Sequence, residues 1–281
     1  MDRCDLHTHS IFSDGTCTPE TLCQQAKLLG LKSLALTDHN TTAGLHRFCA
    51  AGRALSMEPV PGVELTTQLG PQELHLLALF LPEQSMPEAE AFCLGYNEAK
   101  TQQELICADR LQAAGYPVSR DALLALSHGR TPNRVQIAQL LMQGGAAVSI
   151  SDAFDRFLCA GGGFYTPPPR PSILHAIEAV HTWGAVAVWA HPLHSVPRQT
   201  AAQLLPLLAA HGLDGLETRY STYTSEDTSW LAAQAQALDL LESGGSDYHG
   251  GNKPSIQLGS GQGNLVVPQI FCNALRARAN Q

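Results

Sequence analysis

The sequence predicts an α/β fold, a barrel of about seven β/α units related to the eight-fold form, interrupted by a helical insertion at roughly 86–168. Three observations predict it. Short apolar runs alternate with helical stretches in the first third, and the rhythm returns after about residue 169. The stretch between is almost all helical pattern. Histidines and carboxylates fall at the ends of the apolar runs, and a parallel barrel gathers those ends on one face.

The elements follow in order. Arg3 to Leu6 reads as a strand leading into His7 and His9. Pro19 to Leu29 reads as a helix, with Thr18 as N-cap and Pro19 at its first position. Ser33 to Thr37 is a buried strand, Thr42 to Ser56 a helix, Val60 to Glu64 a third strand and Leu74 to Leu81 a fourth. This spacing predicts parallel β/α units. The helical pattern from Glu88 to about Gly144 breaks near Gly115-Tyr116-Pro117 and Gly129 to Pro132, and Asp152 to Leu158 adds a short helix. Gly161-Gly162-Gly163 and Pro167-Pro168-Pro169 punctuate its end. Ser172 to Thr182 then reads as a helix and Ala185 to Ala190 as a strand ending in His191. Thr200 to His211 reads as a helix, Gly215 to Glu217 as a short strand and Asp227 to Leu238 as a helix. A strand near Leu240 to Ser243 runs into the turn Gly244-Gly245-Ser246-Asp247.

Composition narrows the function classes. With 44% hydrophobic and 15% charged residues among 281, the chain has material for a sizeable core, and disorder is not expected. No apolar run of about 18 residues suggests a membrane span. The first residues carry no basic stretch followed by an apolar region, which argues against secretion. The eight cysteines include no CxxC pair, so they read as reduced, mostly buried thiols of a cytoplasmic protein. A net charge of -8 disfavours duplex nucleic acid as a partner. Bound divalent cations would reverse that sign locally and admit a small phosphorylated substrate.

The chemistry lies in where the histidines and acids stand. Of 12 histidines, six (His7, His9, His39, His75, His191 and His249) lie within or just after predicted strands. Asp14, Asp38, Glu64 and Asp247 occupy the same kind of position. His7 and His9, at i and i+2, point the same way on a strand and can meet one metal. Ser13-Asp14-Gly15 is a Gly-flanked turn able to bring Asp14 over the same mouth. Asp38-His39 reads either as part of that mouth or as a helix N-cap. Glu64, a carboxylate ending a buried strand, needs a partner. His75 reads either as a core histidine bonded to backbone or as a further mouth residue. Pro192 stops the strand at His191, and Asp247 and His249 repeat the i, i+2 spacing. Isolated buried charges would be costly, whereas shared ions make the set mutually favourable. Nitrogen and oxygen donors without thiolate suit zinc, manganese or iron(II). His46, His175, His181 and His211 lie on predicted helices and read as surface or packing residues. His128 stands in a loop beside Arg130, and His194 on a loop at the active face.

Taken as an ordered set, four motifs resemble the PHP (polymerase and histidinol phosphatase) phosphoesterase superfamily. They are His7-Thr8-His9 with Ser13-Asp14-Gly15, Thr37-Asp38-His39-Asn40, Ala190-His191-Pro192, and Gly245-Ser246-Asp247-Tyr248-His249. The resemblance spans nearly the whole chain. It implies a distorted seven-stranded, TIM-like (β/α)7 barrel built from 1–85 and 169–281, with 86–168 as an insertion covering the active site. It further implies two or three divalent ions, manganese(II) first, with zinc or iron(II) as alternatives. His7, His9, Glu64 and Asp247 would hold one ion. Glu64 would bridge to a second, also held by His75 and His191, and Asp14, His39 and His249 would hold a third. Asp38 would stand behind the ligands or aid proton transfer.

Within the superfamily the chain resembles the stand-alone bacterial branch, whose members act on nucleoside 3′,5′-bisphosphates or trim RNA from the 5′ end. Arg134 matches that branch's phosphate-binding arginine, but Gln136 stands where a histidine is usual, and Gly161 to Tyr165 lacks a basic residue. The resemblance implies phosphate monoester hydrolysis through a metal-bridging hydroxide. Arg134 and Arg130 would clamp phosphate, and His194, by its position, would protonate the leaving oxygen. The expected partner is a nucleotide or a short single-stranded RNA. The rival readings are histidinol-phosphate hydrolysis and a metal-stabilised module without activity.

Overall fold

The computed structural model describes residues 2–159 and 163–280; Gly161 and Gly162 of the glycine run lie outside them. The chain divides into two compact units, one of residues 1–91 with 171–281 and one of residues 92–170. In the first, seven strands form one sheet in chain order: β1 (Cys4–Asp5), β2 (Ser33–Leu36), β3 (Glu58–Leu69), β4 (Gln72–Leu79), β5 (Val186–Ala190), β6 (Gly215–Tyr220) and β7 (Leu241–Gly245). The sheet curls back on itself after β7. Leu6 N donates to Gly244 O at 3.1 Å and Asp247 N to His7 O at 2.9 Å, and Thr8 bridges Tyr248 in parallel. The result is a nearly closed barrel with helices around it.

The early helices are α1 (Pro19–Leu28) and α2 (Leu45–Ala54). Thr18 caps α1 by accepting from Thr21 N at 3.2 Å, with Pro19 at the first position as expected. The predicted start of the second helix at Thr42 is corrected to Leu45. Thr41 and Thr42 are committed to the Glu90 carboxylate, through both hydroxyls and the Thr42 amide, so the helix begins later. After the insertion come α7 (Ile173–Thr182), the single turn α8 (Pro192–Ser195), α9 (Arg198–Ala210), α10 (Ser225–Ala237) and α11 (Gln269–Ala279). The apolar core of the barrel joins Leu6, Ala35, Val60, Leu77, Val188 and Leu275, all 0% exposed.

One expectation about the sheet fails. The spacing predicted parallel units throughout, but β4 runs antiparallel to both β3 and β5. Only Gly70 and Pro71 separate β3 from β4, and Gly70 turns with φ of +57°. Parallel neighbours need a crossover of a dozen or more residues, so two residues permit only a hairpin. The reversal has a functional consequence. In an antiparallel strand the N-terminal half lies at the end where the parallel strands finish. His75, early in β4, therefore pairs in register with Ala190, the last residue of β5.

The second unit is built from the later part of α3 (Met86–Ala113) with α4 (Arg120–Ser127), α5 (Arg134–Gln143), α6 (Ile150–Ala153) and a wide helical turn over Phe154–Leu158. Its own core gathers Leu111, Leu123, Ile137, Leu141, Phe157 and Leu158. His128 ends α4 in the left-handed conformation, φ 50°. All eight cysteines are free, and Cys4, Cys23, Cys49, Cys93, Cys107 and Cys272 are buried. No helix among the described residues is long and apolar enough to cross a membrane.

Candidate metal centre

The strand ends supply the site. Glu64 is fully buried, and five imidazoles surround its carboxylate. His7 Nε2 at 3.1 Å, His9 Nε2 at 3.2 Å and His39 Nδ1 at 3.1 Å face Oε2, while His75 Nδ1 at 2.7 Å and His191 Nε2 at 3.0 Å face Oε1. Asp247 Oδ1 stands 3.1 Å from His9 Nε2, 3.4 Å from His249 Nδ1 and 3.6 Å from His7 Nε2. Asp14 closes the other side, 3.2 Å from His249 Nε2 and 3.9 Å from both His9 Nδ1 and His39 Nε2. These side chains come from stretches up to 242 positions apart (His7 to His249) and meet because the barrel brings their strands to one rim.

The donors fit divalent ions. Three groups each place their ligand atoms within 4.8 Å of one another: His7, His9, Glu64 and Asp247; His9, Asp14, His39 and His249; and His39, Glu64 and His75. Several of these atoms find no hydrogen bond despite burial, namely both nitrogens of His9, His39 Nδ1 and Asp247 Oδ1. Buried polar atoms are rarely left so, and lone pairs that converge without bonding one another are suited to a shared cation. The mixed nitrogen and oxygen donors match zinc, manganese or iron(II) chemistry.

Electrostatics keep the carboxylates of the cradle ionised. Burial raises a carboxyl's pKa, yet His39, His7 and His75 around Glu64 hold it well below the usual carboxylate range. Lys253 and His249 do the same for Asp247 against the same burial penalty. Burial works against charging His75, but the Glu64 carboxylate overcomes it and lifts His75 to about 9. His39 goes the other way, pushed down to about 3 by burial that its carboxylate neighbours do not offset.

The backbone is shaped for this convergence. Asn40, His191 and Asp247 take positive φ of 51°, 31° and 54° at the ends of their strands, a costly conformation for residues with a side chain. Gly245 is required beside the first motif, since a Cβ there would lie 2.3 Å from the Cβ of His7. Gly15 is equally constrained: a Cβ would meet the carbonyl oxygen of His9 at 2.3 Å.

Asp38 is not a helix N-cap. It accepts from Ser10 N at 2.8 Å and from the hydroxyls of Ser10 and Ser13, both at 2.6 Å, so it folds the loop that presents Asp14. His194 lies on α8, its ring 5.6 Å from His191 and 5.8 Å from Tyr220. In the second unit Arg134 opens α5, its guanidinium 5.2 Å from the Phe154 ring and 4.6 Å from Tyr165. Arg130 Nε donates to Ser127 O at 3.2 Å. Gln136 is spent on structure: Oε1 accepts from Asn133 N and Ser127 Oγ, each at 3.0 Å, and Nε2 donates to Leu126 O at 3.3 Å.

Three residues with a hold on the centre escaped sequence reasoning. Glu217 contacts His7 and His191, Tyr220 OH donates to Asp247 Oδ2 at 2.7 Å, and Lys253 Nζ donates to the same oxygen at 2.7 Å. Glu217 carried a usable signal, since in the sequence it closes a short apolar run as Glu64 does.

A nearly closed α/β barrel whose strand ends converge on a carboxylate ringed by imidazoles defines a metal-dependent hydrolase of the phosphoesterase type. The chain belongs to the PHP domain family, which matches residues 5–153. The 5′-3′ exoribonuclease Rnm of Escherichia coli is 32% identical over 87% of this chain and 84% of its own length. A phosphoribosyl 1,2-cyclic phosphate 1,2-diphosphodiesterase of Eggerthella lenta is 32% identical over 88% and 94%. A 3′,5′-nucleoside bisphosphate phosphatase of Chromobacterium violaceum is 28% identical over 89% and 88%. The crystal structure of a candidate metal-dependent phosphoesterase from Bifidobacterium adolescentis superposes with a TM-score of 0.89 at 32% identity, covering 99% of this chain and 96% of that one. The protein is thus a metal-dependent phosphoric ester hydrolase.

Proposed function

We propose that this enzyme hydrolyses a phosphate ester of a nucleotide, either the 3′-phosphate monoester of a nucleoside 3′,5′-bisphosphate or the phosphodiester that joins the 5′-terminal nucleotide to a short RNA. The observation that carries the chemistry is the Glu64 carboxylate between five imidazoles, with unbonded buried donors beside it. The substrate class is supported by relatives named for RNA and nucleoside bisphosphates across most of the chain.

His7, His9, Asp14, His39, Glu64, His75, His191, Asp247 and His249 would hold two or three ions, with Glu64 shared between two of them. Manganese(II) is our first choice among the divalent metals. When bound, such ions polarise phosphoryl oxygens and make water acidic enough to attack near neutral pH. The residues around them do the rest. Asp38 keeps the loop carrying Asp14 in place, and as a buried carboxylate whose pKa burial raises, it can also take up a proton. Burial, His191 and Lys253 push the His194 pKa below the ordinary histidine value. By its position on α8 beside His191, it would give a proton to the leaving oxygen.

Arg134 would bind phosphate as a planar, stacked guanidinium, with Arg130 as a second cation. Since Gln136 is committed to the capping of α5, it is not available as a substitute for a basic phosphate contact. Arg134→Ala should raise KM on the order of tenfold or more while leaving kcat within a few-fold. An unchanged KM would remove Arg134 from the reading.

The direct test is a substrate panel on the manganese-loaded enzyme: adenosine 3′,5′-bisphosphate, a short 5′-phosphorylated RNA, a ribose 1,2-cyclic phosphate and histidinol phosphate. We expect the bisphosphate or the RNA to have the highest kcat/KM, with activity abolished by a chelator and restored by manganese. Preference for the cyclic phosphate or for histidinol phosphate overturns the substrate assignment but leaves the hydrolase chemistry intact. Absence of any turnover leaves only the reading of a metal-stabilised module.

A further inference from the structure

Strand β6 contributes none of the clustered ligand atoms, yet it touches one candidate ligand on each of three other segments. Glu217, fully buried, lies with Oε1 3.2 Å and Oε2 3.4 Å from His7 Nδ1. Its Oε2 also accepts from the backbone N of His191 at 2.7 Å, at the residue with φ of 31°. Three residues on, Tyr220 OH holds Asp247 Oδ2. In a regular strand residues i and i+3 face opposite sides. Here the β6–β7 register slips between Glu217 and Arg219, and the bulge turns both side chains toward the rim.

Resting on the metal centre proposed above, we infer that Glu217 is a positioning residue that fixes His7 as an Nε2 ligand and anchors the strained His191 backbone. A carboxylate only accepts. To bond it, His7 must carry its proton on Nδ1, which leaves the Nε2 lone pair free. That nitrogen faces Glu64 Oε2 at 3.1 Å and Asp247 Oδ1 at 3.6 Å, where an ion shared by the three would lie. The same carboxylate must also accept from His191 N–H, so two donors are served by one side chain. Carboxylate–imidazole pairs of this kind orient metal ligands and raise their basicity. Tyr220 and Lys253 do the corresponding work for Asp247, taking up Oδ2 and leaving Oδ1 unbonded toward the imidazoles.

Glutamine cannot replace this residue, although it has nearly the same shape. If its carbonyl accepts from His191 N–H, its amide group donates toward His7 Nδ1 and drives the imidazole proton to Nε2. If it turns over, the amide group meets the His191 N–H, donor against donor. A purely steric role for Glu217 would tolerate the exchange.

The test compares wild type with Glu217→Gln in zinc and manganese titrations, counting ions on the desalted protein and measuring affinity against a competing chelator. We expect Glu217→Gln to hold one ion fewer and to bind about 10- to 100-fold more weakly, with the melting temperature of the metal-free protein unchanged. Tyr220→Phe, which leaves the His7 contact alone, should weaken affinity without changing the tautomer. Histidine ¹⁵N spectra of the zinc-loaded wild type should show His7 protonated on Nδ1, and this reading decides the matter even if Glu217→Gln does not fold. Equal ion count and affinity in both proteins, or His7 protonated on Nε2, overturns the role of Glu217 alone. Failure of the wild type to take up any ion overturns the metal centre and this inference with it.

Discussion

Glu64→Gln should lower kcat about a thousandfold or more at saturating manganese, with the ion content falling in parallel. The carboxylate is 0% exposed and is the common neighbour of His7, His9, His39, His75 and His191. Its negative charge is what would make that crowd of imidazoles a cation site. A neutral amide keeps the volume, removes the charge and aims N–H groups at nitrogens that need their lone pairs for metal. Loss of a ligand at the rim, such as His249, leaves most of the cradle in place, whereas Glu64 touches both halves of it. Steady-state kinetics and ion counting on the same preparation check this outcome. A Glu64→Gln enzyme keeping more than a tenth of wild-type kcat would show that Glu64 is not shared between ions.

The second large effect concerns stability. Glu104, on α3 in the helical unit, is 0% exposed, and neither of its carboxylate oxygens has a hydrogen-bond partner. Burial lifts its pKa to about 7, against the pull of Lys100 and Arg134. In the unfolded chain the same group titrates near 4.5. The folded form therefore binds the proton more tightly. The stability this provides is complete below about pH 4.5 and is lost as pH rises through about 7. A shift of 2.5 units corresponds to roughly 3 kcal/mol. Glu104→Gln cannot ionise and should remove that slope. Urea unfolding of both proteins at pH 5 and pH 8 should show the variant gaining about 2.5 kcal/mol relative to wild type across the interval. Parallel curves for the two proteins would mean that Glu104 finds a partner that neutralises the cost.

Much of the fold and the candidate site was legible because the signals were local. Thr18-Pro19 marks a helix start through hydrogen bonding and a preset φ, and both act within one turn. Apolar runs that lead into His7, His39, Glu64 and His191 mark strands carrying polar residues toward one end, and barrel geometry gathers such ends on one rim. The misses have a common cause. Thr42 looks like the start of a helix but is held by Glu90, 48 positions away. Asp38 reads in the sequence either as a cap or as part of the mouth, and only its bonds from Ser10 and Ser13 decide against the cap. Glu217 sits in a short strand without a motif, and its meaning comes from His7, 210 positions distant.

The sequence by itself determined the alternation of strands and helices, the helical insertion and the donor types of a metal-dependent hydrolase, since periodicity and side-chain chemistry are written along the chain. Only the tertiary structure decided that β4 runs against its neighbours and so brings His75 to the rim from the start of its strand. Only the tertiary structure, too, gave β6 its bulge and with it a second layer of hydrogen bonds behind the candidate ligands. Strand direction and hydrogen-bond partnership depend on which distant segments come to lie side by side, and that is a property of the closed sheet rather than of any stretch of residues within it.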